Sequence, residues 1–238
     1  MKTNIFLSLC LCVTICCTQA QQDTLFYKKG LSEIQNNNYN KAISYFTMAI
    51  EINKKYTDAY DQRGSCYAEK KQTEKALKDY TTEVAIHPTA EAYNFIGMLY
   101  DRLKNYDEAI VYYTKAIKLN PRYADAYDNR ADALCFKNEN RKAEQDFLSA
   151  MKFCADDESL GMYHFNLGIL YLEEKKYKSA IDEFSNALNL NYIDKRAYLL
   201  RAQAYNAINK HKEAKADKIA AKKFKTVKEF TFVYKPSV

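Results

Sequence analysis

The three histidines are the side chains of this 238-residue chain best suited to acid–base or metal chemistry near neutral pH. His87, His164 and His211 are widely separated, and no other candidate ligands cluster with them in the sequence. The chain also lacks a glycine-rich phosphate loop, a G-x-S-x-G turn, an H-E-x-x-H pair and an acidic calcium loop. We therefore predict no catalytic, cofactor-binding or metal site, and we expect that the protein is not an enzyme.

The first twenty residues have the three parts of a secretory signal peptide. Lys2 supplies a positive charge, residues 5–17 are almost continuously apolar, and Thr18-Gln19-Ala20 offers small residues for cleavage after Ala20. We predict residues 1–20 to be this signal and the protein to be exported, periplasmic or secreted. An uncleaved anchor needs a longer apolar run. Lipid attachment to one of the four early cysteines is the less favoured alternative, because the residue before each of them is Leu, Ile or Cys.

Three cysteines lie beyond that segment: Cys66, Cys135 and Cys154. None belongs to a C-x-x-C pair, so neither a zinc knuckle nor a thioredoxin-type motif is predicted. On an antiparallel helix pair Cys135 and Cys154 would lie roughly 15 Å apart along the axis, whereas a disulfide tolerates about 7 Å between Cα atoms. We predict three free thiols, and no transmembrane segment in the mature chain, because no later run approaches the length of a membrane span.

The elements that would position any site follow from one pattern that occurs six times. Small residues recur every 33 to 37 positions, and an alanine follows each of them twelve residues later. An aromatic residue follows sixteen residues later in five of the six copies. Four of the five glycines and two of the three prolines fall on this pattern. The six small residues are Gly30, Gly64, Gly97, Ala131, Gly168 and Ala202.

Two segments resemble the tetratricopeptide repeat family most closely. Residues 90–121 read A-E-A-Y-N-F-I-G-M-L-Y-D-R-L-K-N-Y-D-E-A-I-V-Y-Y-T-K-A-I-K-L-N-P, and residues 58–67 read D-A-Y-D-Q-R-G-S-C-Y. The resemblance covers residues 23–228 and implies an all-α fold, an α-solenoid of about six helix-turn-helix repeats forming a right-handed superhelix. The repeats are expected near 23–56, 57–89, 90–123, 124–157, 161–194 and 195–228, followed by a C-terminal tail, 229–238.

Departures from the motif occur at a few positions. Glu83 stands where a small residue is expected, and His164 and Lys218 stand in aromatic positions. Because of Lys218, the sixth repeat is expected to act as a terminal cap. Residues 157–159 are expected to form a surface loop between repeats four and five. The turn inside each repeat often needs a left-handed residue, which asparagine tolerates. Asparagine stands there in three repeats and lysine in the others, where we expect strained or different turns: Asn37, Asn138, Asn209, Lys71, Lys104 and Lys175.

The resemblance implies that the first helix of each repeat lines a concave groove, where a partner would bind. Residues three and four apart share a helix face, so the inward stripe can be read from the sequence. In repeats two to four it carries eight acids against one arginine, Arg102, and in the outer repeats it is apolar. Helix dipoles account for acids in first turns but not for all of these. The predicted groove residues are Asp58, Asp61, Glu91, Asn94, Asp101, Asp125, Asp128, Asp132, Phe165 and Ile169.

From these stripes we expect a non-enzymatic protein–protein interaction scaffold of a bacterial-type periplasm or cell surface. Its partner would be another protein or peptide segment, basic or polar with apolar flanks. The Lys–Asn clamp by which some family members hold a chaperone tail is not matched, since Tyr27 and Leu31, or Asp61 and Ser65, occupy those places.

The C-terminal region carries the opposite charge, with twelve Lys or Arg residues and three acids over residues 195–238. The alternative function is therefore an adaptor for an anionic surface, either membrane or polyanion. A solvated capping helix explains the same lysines. Self-association, with this basic helix in a neighbour's groove, is a further alternative, and no nucleic-acid partner is expected because no aromatic stacking module is present.

Overall fold

The computed structural model describes residues 21–190, 192 and 195–223. These residues form twelve helices and contain no strand, so the all-α prediction is confirmed. The predicted signal peptide, 1–20, and tail, 229–238, lie outside the described residues. The helices are α1 (21–35), α2 (Tyr39–Ile52), α3 (Thr57–Glu69), α4 (Thr73–Ile86), α5 (Ala90–Arg102), α6 (Tyr106–Leu119), α7 (Ala124–Phe136), α8 (Asn140–Phe153), α9 (Asp157–Glu173), α10 (Tyr177–Asn189), α11 (Lys195–Ala207) and α12 (His211–Ala221).

The chain divides into two compact units, Met1–Lys104 and Asn105–Val238. In the first unit α4 packs against both α3 and α5, and α2 packs against α3. In the second unit each helix from α6 to α12 packs against the next, and α9 also contacts α7 and α11. None of the helices in the described residues is long and apolar enough to cross a membrane.

Close approach of two helices explains the sixteen-residue spacing between small and aromatic residues. A Cβ atom added to Gly168 would lie 2.7 Å from Cε1 of Phe184, and one added to Gly30 would lie 2.5 Å from Cε1 of Phe46. At Gly64 the contact is looser, with the nearest atom of Tyr80 at 3.1 Å. The three aromatic rings are buried, so the pattern seen in the sequence is the core of each helix pair.

The turns inside all six repeats have the same left-handed geometry, with φ between 57° and 62° at the three asparagines and the three lysines. In the second repeat, two backbone hydrogen bonds close the turn between α3 and α4. Lys71 N–H donates to Ala68 O at 2.9 Å, and Gln72 N–H donates to Tyr67 O at 2.8 Å. This is the Schellman arrangement. The expectation of a different turn at the lysines is wrong, because they share the geometry of the asparagine turns. The expectation of strain is confirmed, since the left-handed region costs a non-glycine residue about 1–3 kcal/mol.

The loop expected at residues 157–159 is also wrong, because those residues begin α9. The Asp156 side chain caps this helix by accepting a hydrogen bond from the Ser159 backbone N–H at 2.8 Å. The additional residues of the 37-residue interval therefore lengthen a helix, and α9 has 17 residues. An N-cap aspartate with acids in the first turn is a recognised helix start.

An arginine tie joins three consecutive helices in repeats two, four and six. Arg63 on α3 donates from Nε and Nη2 to the Asp79 carboxylate on α4, each at 2.7 Å, and from Nη1 to Thr47 Oγ1 on α2 at 3.0 Å. The other two ties repeat this geometry with a bidentate carboxylate and a hydroxyl from the preceding repeat. They consist of Arg130, Asp146 and Thr114, and of Arg201, Asp217 and Ser185.

We predict that Gly168→Ala destabilises the protein by about 1–3 kcal/mol, because the added methyl group overlaps the fully buried ring of Phe184. Gly64→Ala is the matched control in which the ring lies farther away and alanine's higher helix propensity offsets the contact. Urea unfolding of both variants measures the difference. Equal losses of stability would mean that the helix approach at Gly168 is not the tight contact described.

Candidate functional site

Three acids from two helices of the first unit act electrostatically on a fourth acid, Glu83, on the helix between them. Asp58 and Asp61 belong to α3, Glu83 to α4 and Glu91 to α5. Burial, as the largest cause, and the negative charges of Asp61, Asp58 and Glu91 together raise the pKa of Glu83 to about 7. Burial and the charge of Asp58 also raise the pKa of Asp61, against a hydrogen bond from Gln62 that lowers it. We call these four residues the acidic cluster.

Glu83 is the innermost member of the acidic cluster. Its side chain is nine-tenths buried, at 7% exposure, and its Oε2 atom has no hydrogen-bond partner among the described residues. Asp58 and Glu91 are exposed and Asp61 is half-buried, so the cluster grades from solvent inward to Glu83. The other five repeats hold a buried alanine at the same position of the second helix: Ala49, Ala116, Ala150, Ala187 and Ala221.

Tyrosine rings adjoin the acidic cluster. The charges of Asp58 and Asp61 act on Tyr27, whose pKa rises to about 12 chiefly through burial. Its ring lies 5.1 Å from that of Tyr56 between centroids. The pKa of Tyr80 is raised by burial and by Asp61 and Glu83. A surface that combines carboxylates with aromatic rings favours a cationic side chain, through ion pairing and cation–π attraction.

The remaining predicted residues of the first unit are less available. Asn94 is buried and its Nδ2 lies 3.7 Å from Met98 Sδ, while Asp101 is half-buried. Arg102, the arginine of the predicted stripe, donates from Nη1 to the Ala68 carbonyl at 3.1 Å. That contact lies at the end of α3, away from the residues of its first turn.

In the second unit, two of the three predicted acids are held by α9. Asp128 is 4% exposed, and both of its carboxylate oxygens accept hydrogen bonds from Asn166 Nδ2, at 3.1 and 3.2 Å. Burial raises the pKa of Asp128. Asp125 is exposed but accepts a hydrogen bond from the Tyr163 hydroxyl at 2.5 Å, and Asp132 is half-buried. These acids therefore join α7 to α9 as well as adding negative charge.

The expectation that Phe165 and Ile169 form an apolar end of the groove is wrong, because the two side chains are 0% and 2% exposed. Phe165 packs against the rings of Phe184 and Tyr192, with centroids 5.8 and 5.1 Å away. Ile169 belongs to the same core cluster. Helical spacing gives the direction of a side chain but does not show that the following helices cover it.

The described residues do not assemble a metal-binding group. His164 Nδ1 lies 2.6 Å from Glu183 Oε2, and His211 Nδ1 lies 3.1 Å from Asn206 Oδ1. In the described ranges no three His, Cys, Asp or Glu side chains are arranged to hold a metal ion. The three cysteines there are free, and burial raises the pKa of two of the thiols, to about 11 for Cys66.

Comparison with known proteins identifies the class to which this fold belongs. Family models described as tetratricopeptide repeat match residues 24–56, 90–123, 112–145 and 165–223. The chain is a member of the tetratricopeptide repeat family, whose proteins mediate protein–protein interactions.

The curated relatives are much longer than this chain. It is 28% identical over 164 residues to anaphase-promoting complex subunit 3 of Schizosaccharomyces pombe, a match that covers 68% of this chain and 24% of that protein. The chain thus spans about a quarter or less of the length of the first relatives it matches.

Solved structures share the fold at low sequence identity. PilW, described as a widely conserved type IV pilus biogenesis factor, superposes with a TM-score of 0.74 at 18% identity, over 85% of this chain and 93% of its own. YrrB, described as a tetratricopeptide repeat protein with an unusual peptide-binding site, gives 0.59 at 16% identity, over 72% of this chain and 88% of its own.

We predict that Glu83→Gln stabilises the protein by about 1–3 kcal/mol at pH 8, because it removes a buried charge surrounded by Asp58, Asp61 and Glu91. The raised pKa means that the folded state binds the Glu83 proton more tightly than the unfolded state. The contribution of Glu83 to wild-type stability therefore falls as the pH rises from about 4.5 to about 7 and stays low above that range.

Urea unfolding of wild type and Glu83→Gln at pH 4.5 and pH 8 measures this difference. The advantage of the variant should shrink at pH 4.5, where the wild-type carboxyl is largely protonated in the folded state. Glu74→Gln, an exposed change on the same helix, is the control and should show no such pH dependence. A Glu83→Gln advantage that is equal at both pH values would contradict the assignment of a buried, raised-pKa carboxyl.

Proposed function

We propose that this protein is a non-enzymatic interaction scaffold that binds a basic segment of another protein, with the acidic cluster as its main contact. The observation that carries the proposal is the convergence of Asp58, Asp61, Glu83 and Glu91 from three helices, with an unpartnered oxygen on Glu83. A surface of one sign accelerates encounter with a partner of the opposite sign and disfavours partners of the same sign. The proposed contact lies entirely within the first unit.

A protein segment is the favoured ligand because of both family and chemistry. The tetratricopeptide repeat family binds proteins and peptides, and a peptide-binding site is described for YrrB, which shares the fold. Lysine and arginine side chains are the cations that a protein partner offers to carboxylates and to rings such as Tyr27. The acids of the second unit, Asp125, Asp128 and Asp132, are proposed as secondary contacts, since their ties to α9 limit their access.

We further propose that the scaffold acts after export, in a periplasm or at a cell surface. The charge, apolar run and small residues of positions 1–20 support a cleaved secretory signal. The likeness in fold to PilW, a pilus biogenesis factor, is consistent with an envelope role but rests on structure alone. Leucine or isoleucine before three of the four early cysteines favours a secretory signal over lipid attachment.

A second candidate function is an adaptor for an anionic surface. The observation that favours it is a set of exposed lysines at the end of the described chain, on α12 and just after it: Lys212, Lys215, Lys218, Lys222 and Lys223. Arg201 is excluded from this set because it is tied to Asp217 and Ser185. Binding by such lysines should fall steeply as salt rises.

The test is a triple change of the solvent-accessible cluster acids, Asp58→Asn, Asp61→Asn and Glu91→Gln. The probe peptide is a fluorescein-labelled, amidated dodecapeptide of alternating lysine and serine with one central arginine. Fluorescence anisotropy at low salt should show a loss of affinity of about tenfold or more, which corresponds to about 1.4 kcal/mol. The difference should shrink as salt is added, because exposed charges are screened.

The control triple neutralises exposed acids of second helices, Glu51→Gln, Glu74→Gln and Asp182→Asn, with the same change in net charge. It should bind the probe peptide as wild type does. Equal affinity of the two triple variants would refute the acidic cluster as the contact. Salt-sensitive binding of vesicles containing phosphatidylserine, lost when the α12 lysines are changed to glutamine, would instead support the adaptor function.

A further inference from the structure

We infer that Glu83 is a specificity-determining residue that receives a single arginine side chain of the partner. The inference rests on the proposed function and adds to it one named recognition position and one chemical group, a guanidinium. It concerns only the first unit, in which α4 packs against both α3 and α5.

The hydrogen-bond partners of the other buried carboxylates on second helices support this inference. The second helices of the described chain bury four carboxylates: Asp79, Glu83, Asp146 and Asp217. Each of the three aspartates receives two hydrogen bonds from a guanidinium of the chain itself. Glu83 lies four residues after Asp79 on α4, but its Oε2 atom has no hydrogen-bond partner among the described residues. An arginine of a partner protein would give Glu83 the guanidinium hydrogen bonds that arginines of this chain give to the three buried aspartates.

The buried Glu83 carboxylate oxygen without a hydrogen bond destabilises the free protein, and a bound cation would reduce that loss. A buried acceptor without a hydrogen bond lowers stability, and the loss is larger when the acceptor is charged. Five repeats avoid that cost with alanine at the same position, as at Ala49 and Ala116. When a cation occupies the site, the repulsion among Asp58, Asp61 and Glu83 is relieved, so part of the stability lost in the free protein returns on binding.

The surroundings of Glu83 favour arginine over lysine and over a metal ion. A guanidinium is planar, is more weakly hydrated than an ammonium and donates two parallel hydrogen bonds to a carboxylate, which suits the buried Glu83. Half-buried Asp61 and exposed Asp58 and Glu91 act electrostatically on Glu83 and would add to the attraction of a cation. The four carboxylates do not form a metal-ligand group by their geometry in the described structure.

The experiment compares the probe peptide with a twin in which citrulline, a neutral isostere, replaces the arginine. Wild type should bind the arginine peptide about tenfold more tightly than the citrulline peptide. Glu83→Gln should reduce affinity for the arginine peptide by about tenfold and should bind the two peptides alike. Glu74→Gln, which removes one exposed acid from the same helix, should retain the wild-type preference.

Glu83→Ala provides a second variant, since alanine fills this position in five repeats and should fold. It should lose the arginine preference as Glu83→Gln does, with a thermal melting midpoint no lower than wild type. If both variants keep the preference while the cluster triple loses affinity, the role of Glu83 is refuted and the proposed function stands. If wild type binds neither peptide, both are refuted, and if it binds the two alike, the arginine assignment alone is refuted.

Discussion

The close approach of the two helices within each repeat is the constraint on which the rest of the structure depends. Gly168 and Gly30 leave no room for a Cβ atom beside the rings of Phe184 and Phe46, and these rings are buried. This contact fixes the rotation of each first helix about its axis. Because Asp61 precedes Gly64 by three residues, it lies on nearly the same face of α3, and its charge acts on Tyr80 and Glu83 of α4. The packing of small residues thus determines where charge can be displayed.

Charge is handled in two ways within this framework. In repeats two, four and six an arginine tie satisfies a buried aspartate and reaches a hydroxyl of the preceding repeat, as Arg130 does with Asp146 and Thr114. Breaking such a pair by removing one member leaves a buried charge and costs about 3–5 kcal/mol. Glu83 is the contrasting case, an acid in an alanine position whose environment raises its pKa. The arginine ties stabilise the repeats, whereas the unpartnered oxygen of Glu83 is available to hydrogen-bond with a partner.

The sequence was sufficient to predict the helices, their pairing and the core residues, because a six-fold pattern repeats one packing solution. It was less informative about the surface. Helical spacing placed Phe165 and Ile169 on the inward stripe but could not show that Tyr192 and the neighbouring helices bury them. It placed Asp128 there too, although Asn166 lies 38 residues away and holds it. The arginine ties were missed, although their sixteen-residue spacing is visible in the sequence.

Glu83 illustrates how a departure from a motif can be more informative than agreement with it. The sequence marked it as an acid in a small-residue position, but its burial and its neighbours on α3 and α5 appear only in the folded chain. At the lysine turns, by contrast, a departure from the expected residue type changes nothing in the backbone. Residue type suggested a different turn at Lys71, yet the repeat geometry imposes the left-handed backbone regardless of side chain. Tertiary packing overrides local preference at such positions.

The structure of the protein bound to the arginine-containing probe peptide tests the account most directly. We expect the guanidinium to lie within hydrogen-bond distance, about 2.7–3.2 Å, of a Glu83 carboxylate oxygen, with the peptide backbone across the first helices α3 and α5. A peptide bound instead on the outer face of the second helices, or at the second unit with Glu83 unchanged, would contradict the account.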